Sequence, residues 1–341
     1  MGAALTTRLA LPLGVVFLLG AMLTGALVGP VHLGVGDVVR TPFAHLLGTH
    51  RPLHGAADAI VWDLRLPRVV LGAIVGGTLA LAGAAYQGVF RNPLADPYLL
   101  GVAAGAGLGA TIVVAFAPGG GVRHDLLPLA AFAGAAVAVA AAYILGTSAG
   151  GVSASTSLVL AGVTIAAFFT ALQTFVQQQH VETVQAVYVW LLGRLGSATW
   201  RDVAVVLPYA VVSWVVIIVH RRFLDVLAVG DEEAAALGVS VTRVRLLVVC
   251  AATIGTAAAV AVSGLIAFVG IIVPHTIRLL FGQSYRLLLP LSIVVGGGFL
   301  VLADVLARTI VSPGELPIGV VTAFFGAPFF AVVLKTSRRL G

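Results

Sequence analysis

Long apolar runs separated by short polar interruptions dominate the chain. About 20 consecutive apolar residues suffice to cross a hydrocarbon core, and runs of that order lie near 9–29, 67–88, 98–117, 127–146, 156–177, 203–220, 246–263, 265–281, 287–306 and 318–336. The pattern predicts an all-α integral membrane protein of about ten transmembrane helices, with both termini on one side. The eighth run, GLIAFVGIIVPHTIRLLFG, is short, and Pro274 inside it removes a backbone donor. A break is expected there, with a neighbour or a polar cavity satisfying the freed carbonyl. Gly72, Gly76, Gly77 and Gly83 crowd the second run, where small residues allow close helix approach without a hydrophobic drive between helices.

Composition narrows the class. The 341 residues are 60% hydrophobic and 9% charged, with mean hydropathy +1.10, whereas soluble domains carry about a quarter charged residues. Residues 1–341 read as a single transmembrane domain. The net charge of +6 comes from basic residues scattered at the ends of apolar runs, which is not the clustered footprint of nucleic-acid binding. A single cysteine, Cys250, excludes an internal disulfide and a Cys-based metal cluster. His45, His50 and His54 share the long 30–64 loop with Asp37 and Arg51, but their spacing matches no usual ligand set, and they read as solvated loop histidines. The N-terminal run has the outline of a signal peptide, yet it is longer than a usual hydrophobic region and reads as an uncleaved first helix. Cytoplasmic termini place eleven of the 19 Lys and Arg inside, the side that basic residues favour.

No catalytic set is visible. A phosphate loop needs a Gly-rich turn followed by Lys and Ser or Thr, and the only lysine, Lys335, follows Ala331-Val332-Val333-Leu334. Three polar features stand out instead. In the interruption at about 221–245, Asp231, Glu232 and Glu233 open a short helix that Gly238 closes, with the acids at the helix end that favours them. That segment is a solvated connector or a contact surface. Arg65 and Arg68 begin the second run and Arg308 ends the ninth, as interfacial snorkelling anchors or as docking charges. Ser155, Thr156 and Ser157 open the fifth run as helix caps or as a small hydroxyl lining. Gln173, Gln177 and Gln178 bring amides into the same run and are expected to face a cavity.

The DLRLPR start, the RNPLADPYLLG turn, and the ELPIG and TAFFGAPFF blocks of the last helix resemble the FecCD-type permease subunits of bacterial ABC importers for iron-siderophores, haem and cobalamin. The matches run from about Arg65 to Arg339. The resemblance implies the type II ABC importer permease architecture in the cytoplasmic membrane and a homodimer of permease copies. It also implies two ATP-binding subunits that use ATP and Mg, and a periplasmic or lipoprotein substrate-binding protein. No cofactor or metal is implied for this chain itself.

Carried over by position, Asp231, Glu232, Glu233, Leu237 and Gly238 correspond to the loop that docks on the ATPase. Arg65, Arg68 and Arg308 correspond to arginines that meet acids on the two lobes of the binding protein, and Ser155, Thr156 and Ser157 to the cytoplasmic gate. Gln173, Gln177 and Arg194 are placed along the translocation pathway. Where many relatives have Gly-Ser-Leu, this chain has Gly193-Arg194-Leu195, a departure that bears on cargo, because an arginine there favours an anionic one. His275, in VPHTIR, lies in a motif shared across cargoes in the family and reads as structural. Iron-siderophore import is the expected function, with haem or cobalamin as alternatives within the family. An ion-coupled secondary transporter is the rival from another class; it would need an intramembrane acid, for which Asp304 is the candidate.

Overall fold

The computed structural model describes residues 2–29, 31–48, 53–117, 121–148 and 154–337, and the regular structure among them is entirely helical. In chain order the helices are α1 (Gly2–Leu27), α2 (Val35–Leu47), α3 (Ala56–Ala59), α4 (Leu66–Phe90), α5 (Val102–Phe116), α6 (Gly121–Ser148), α7 (Ala154–Gln179) and α8 (Val184–Leu191). They continue with α9 (Trp200–Val219), α10 (Arg221–Leu227), α11 (Asp231–Ala236), α12 (Val241–Ser263), α13 (Val269–Phe281), α14 (Tyr285–Thr309) and α15 (Ile318–Ser337). A π-helical stretch, Ile60–Arg65, joins α3 to α4. Among the described residues seven spans are long and apolar enough to cross a membrane, and α5, α13 and α15 are shorter apolar helices. Each predicted apolar run is therefore carried by a helix.

Helix α4 is the axis of the bundle. Apart from Leu66, Val70 and Ala73 all of its residues are buried, and it packs against α1, α9, α12, α13 and α14. Its glycines are the contact points. A Cβ on Gly76 would strike the backbone of Gly296 in α14, and one on Gly83 would strike the backbone of Gly270 in α13. Side-chain hydrogen bonds add to this packing: Trp214 Nε1 donates to Thr78 Oγ1 at 3.0 Å, and Tyr86 shares a hydrogen bond of 2.7 Å with Thr253.

The expected break lies elsewhere. Pro274 sits inside the continuous helix α13, and the chain departs from helix at 264–268, just before it. The carbonyl that Pro274 frees, four residues earlier at Gly270, accepts a hydrogen bond from Gln87 Nε2 at 3.0 Å. A neighbouring side chain thus replaces the missing backbone donor, so the proline does not have to end the helix. The Gln87 amide oxygen accepts in turn from Arg278 Nη1.

The helix of the third apolar run, α5, begins at Val102 rather than near 98, because the preceding residues form a turn. Asn92 Oδ1 accepts from the Leu94 amide and Asp96 Oδ1 from the Tyr98 amide, at 2.9 and 2.8 Å, in the manner of Asx turns. The turn folds inward, with Ala95, Pro97 and Leu100 buried. The Tyr98 hydroxyl both donates to the Ile266 carbonyl and accepts from the Ile266 amide, satisfying backbone exposed by the irregular 264–268 segment.

Replacing Gly83 by valine is expected to lower thermal stability sharply, since overpacking against a rigid backbone costs about 1–3 kcal/mol or more. Gly20→Val, where nothing lies within 4 Å of the added Cβ, is expected to leave the melting temperature unchanged. Thermal unfolding of both variants in detergent, followed by size-exclusion recovery, checks the contrast.

Candidate functional site

Two polar clusters occupy opposite ends of α4, which at about 1.5 Å rise per residue is nearly 40 Å long. At its first turn Arg68 uses its whole guanidinium. Nε and Nη2 donate to the Asp304 carboxylate of α14 at 2.8–3.1 Å, while Nη1 and Nη2 donate to Glu315 in the α14–α15 link at 2.8 and 3.0 Å. Arg308, one turn after Asp304, has its Nε 3.6 Å from that carboxylate and donates from Nη2 to the Gly25 carbonyl of α1 at 2.8 Å. Arg65 donates to the Ala26, Leu27 and Val31 carbonyls at 3.0, 3.0 and 2.6 Å, receiving the unpaired carbonyls where α1 ends.

The three arginines expected at the outer edge are therefore brought together, but turned inward. Arg65 and Arg68 are 5% and 9% exposed. A snorkelling arginine would extend toward headgroups; these instead fasten α1, α4, α14 and the 310–317 link. Glu315 is the open member of the set, with its side chain 47% exposed. Its hydrogen bonds from Arg68 hold its carboxyl below the ordinary range despite partial burial. Asp304 was visible in the sequence as a deep acid, whereas nothing in the local pattern marked Glu315 as its companion.

At the other end, Arg91 caps α4 in a left-handed conformation, φ 50°, and its Nη2 is 3.3 Å from Asp231 Oδ1. Arg245 of α12 donates from Nη2 to both oxygens of Asp231 at 3.1 Å. Asp231 thus anchors α11 while its side chain keeps 41% exposure. Ala234 is fully buried beneath it, while Glu232 and Glu233 are exposed and Leu237 is 71% exposed. Gly238, at φ +79°, closes the helix: its amide bonds the Ala235 carbonyl and the Val239 amide bonds the Ala234 carbonyl, at 2.9 and 3.0 Å, the pairing of a Schellman motif. The connection is fixed further by Asp225 of α10, which accepts from the Tyr285 amide at the start of α14 at 2.7 Å. A short helix held at Asp231 by two arginines and seated on the buried Ala234 thus presents two acids and a leucine outward.

The remaining candidates separate. Ser155 has a side chain outside the described residues; Thr156 is exposed, and the Ser157 hydroxyl is buried without a hydrogen-bond partner among the described residues. Gln173 is buried against Gly107 of α5, so it faces a helix contact rather than the cavity expected for it. Gln177 is half-buried one turn later. Arg194 is exposed in the link between α8 and α9 and lines two adjoining clefts at the Arg68 end.

His45 is not a solvated loop residue. It lies 3.0 Å from the Asp58 carboxylate and stacks on Trp62 with centroids 4.1 Å apart. His50 and Arg51 lie outside the described residues. His275 meets Phe329 edge-on at 5.7 Å, a packing contact. Among the described residues no group of three or more His, Cys, Asp or Glu is placed to share a metal ion.

The profile of the FecCD transport family matches residues 16–336. The cobalamin import system permease protein BtuC of Halobacterium salinarum is 43% identical over 279 residues, covering 82% of this chain and 74% of the relative. The Fe(3+)-citrate import system permease protein YfmE of Bacillus subtilis is 35% identical over 312 residues, 91% of each chain. A solved structure described as an inward-facing conformation of a metal-chelate type ABC transporter superposes with TM-score 0.83 at 27% identity, over 96% of this chain and 98% of the other.

Removing Arg68 while leaving Asp304 strands a buried carboxylate, so Arg68→Leu is expected to cost about 3–5 kcal/mol. The Arg68→Leu, Asp304→Leu double variant is expected to recover part of that loss in the same thermal assay. Glu315 contributes differently. Its depressed pKa means that its contribution is complete above the unfolded carboxylate value, about 4.3, and is lost as pH falls through its lower folded value. The gap in melting temperature between the native chain and Glu315→Gln should therefore be widest near neutrality and close in acid. A gap that widened as pH fell would contradict this pairing.

Proposed function

This chain belongs to the FecCD transport family, whose members matched here are ABC permeases, and on that premise we propose that it is the membrane-spanning subunit of an ATP-driven metal-chelate importer. Iron-siderophore is the cargo first expected, and the similarity to an iron-citrate permease supports it. The higher identity to a cobalamin permease supports cobalamin as the second cargo. In this reading two copies of the chain form the channel in the cytoplasmic membrane, with their termini in the cytoplasm. Two ATP-binding subunits attach at the Asp231 end, and a substrate-binding protein delivers cargo at the Arg68 end.

The observation that carries the reading is the contrast between the ends of α4. The α11 surface is rigidly held yet exposes Glu232, Glu233 and Leu237, which suits a partner that must push on the bundle without deforming the contact. At the opposite end the cationic groups are already paired. Docking through Arg65, Arg68 and Arg308 then works by exchange: an acid on the binding protein takes Arg68 from Glu315, the most accessible carboxylate of the cluster. The secondary-transporter alternative loses its coupling acid, because the Asp304 carboxylate is already occupied by hydrogen bonds from Arg68 and lies beside Arg308.

The purified chain alone is expected to hydrolyse no ATP and to copurify with a separate ATPase. The Glu232→Lys, Glu233→Lys double variant is expected to fold normally, because neither side chain is buried, while releasing the ATPase or severing ATP turnover from uptake. Pull-down with the cognate ATPase and uptake by proteoliposomes measure both; intact assembly with coupled transport would remove α11 from the mechanism. Competing uptake of ferric citrate, a ferric hydroxamate, haem and cobalamin through the complete assembly decides the cargo.

A further inference from the structure

Arg194 stands apart from the cluster around Arg68. Its backbone is held from several sides. The Arg194 amide donates to the Ser263 carbonyl at 2.8 Å, the Gly319 amide donates to the Leu192 carbonyl at 3.0 Å, and Gly193 takes φ +75°, where a Cβ would lie 2.6 Å from the Leu265 carbonyl oxygen. A link of irregular backbone is thereby locked to α12 and α15 and carries one long cation. That cation has no hydrogen bond or ion pair among the described residues and is exposed.

Two clefts meet there. One, of about 440 Å³, includes Trp190, Gln185 and Glu182; the other, of about 260 Å³, reaches the Arg68 cluster; Arg194 and Val189 line both. In the second cleft Arg68 is engaged by two carboxylates, Asp304 and Glu315, so its charge is more than balanced locally. In the first, Glu182 lies 3.4 Å from His180 and makes no ion pair with Arg194. The arrangement is a concave, partly apolar site in which Arg68, Asp304 and Glu315 bond one another and the Arg194 guanidinium, on a fixed backbone, is left without a partner among the described residues, which is how a small ligand is oriented by a single polar group. A guanidinium suits a carboxylate in particular, through paired parallel hydrogen bonds.

We propose that Arg194 recognises a free carboxylate on the cargo at the Arg68 end of the pathway, selecting anionic metal chelates over neutral ones. This rests on the importer reading and adds the charge class of the substrate to it. Concavity favours a small ligand over an acid on a partner protein, which would need a protruding cation, and over a lipid headgroup, which would approach from the side of the bundle.

The test uses the assembled permease and ATPase in phosphatidylcholine nanodiscs, with radioactive iron as ferric citrate, which has free carboxylates, and as a neutral ferric trihydroxamate. A charge-assisted contact is worth enough for Arg194→Gln to weaken ferric citrate binding about tenfold or more. Arg194→Lys is expected to fall between the two, and trihydroxamate binding is expected to be equal in all three. Matching melting temperatures show that the variants are folded.

Absence of ferric citrate binding to the native assembly overturns the proposal, as does equal affinity in Arg194→Gln or an equal loss for both chelates. A response to Arg194→Gln seen only when the discs contain anionic phosphatidylglycerol overturns it in favour of a headgroup. Slower association of the binding protein with unchanged chelate affinity overturns it in favour of a protein acid. ATP-driven uptake of the trihydroxamate, measured in parallel, separates the two levels. If the native assembly transports it, the importer reading stands whatever Arg194 does; if it transports no metal chelate, that reading and this proposal fail together.

Discussion

Helix α4 is enclosed by other helices along nearly its whole length, and that enclosure sets what every polar atom on or near it must do. Within such a bundle an unpaired backbone or side-chain group costs several kcal/mol. The glycines of α4 bring the neighbouring backbones into contact. Thr78, Tyr86 and Gln87 therefore each find a partner on another helix. Gln87 shows the economy of this arrangement: one amide repairs the backbone gap left by a proline in α13 and receives the guanidinium of Arg278.

The same constraint shapes the ends of α4 in opposite ways. At the Arg68 end, three arginines and two acids lie close enough to share hydrogen bonds, carbonyl oxygens included, and only Glu315 keeps much contact with solvent. Charge there is mostly consumed by the fold. At the other end Arg91 and Arg245 are both used on Asp231, which frees Glu232 and Glu233 to face outward. A helix packed along its full length transmits displacement with little loss, since packed interiors are hardly compressible. The α11 surface and the clefts beside Arg194 are in this way connected by one stiff element.

Much of this was legible in the chain itself. Apolar runs of the right length announced the membrane class and the ten apolar helices, because the hydrocarbon thickness imposes a length that sequence must obey. The acids of α11 and the closing Gly238 were equally readable, since helix capping is a local matter decided within a few residues. The requirement for a donor to the carbonyl freed by Pro274 could also be stated in advance, from backbone chemistry alone.

Which group would supply that donor could not, for Gln87 is 183 residues away from Gly270. Nor could the sequence show that Arg65, Arg68 and Arg308 turn inward, that Gln173 faces Gly107, or that His45 stacks on Trp62. A residue's type and spacing specify what it is able to bond, and a run's hydropathy specifies whether it enters the bilayer. The choice among partners depends on which distant segments arrive within about 3 Å, and that is set by glycine contacts and helix crossings between elements far apart in the chain. Sequence thus determined the membrane class, the helices and the α11 surface, while the tertiary structure decided which charges the fold consumes and which, like Arg194, it leaves to act.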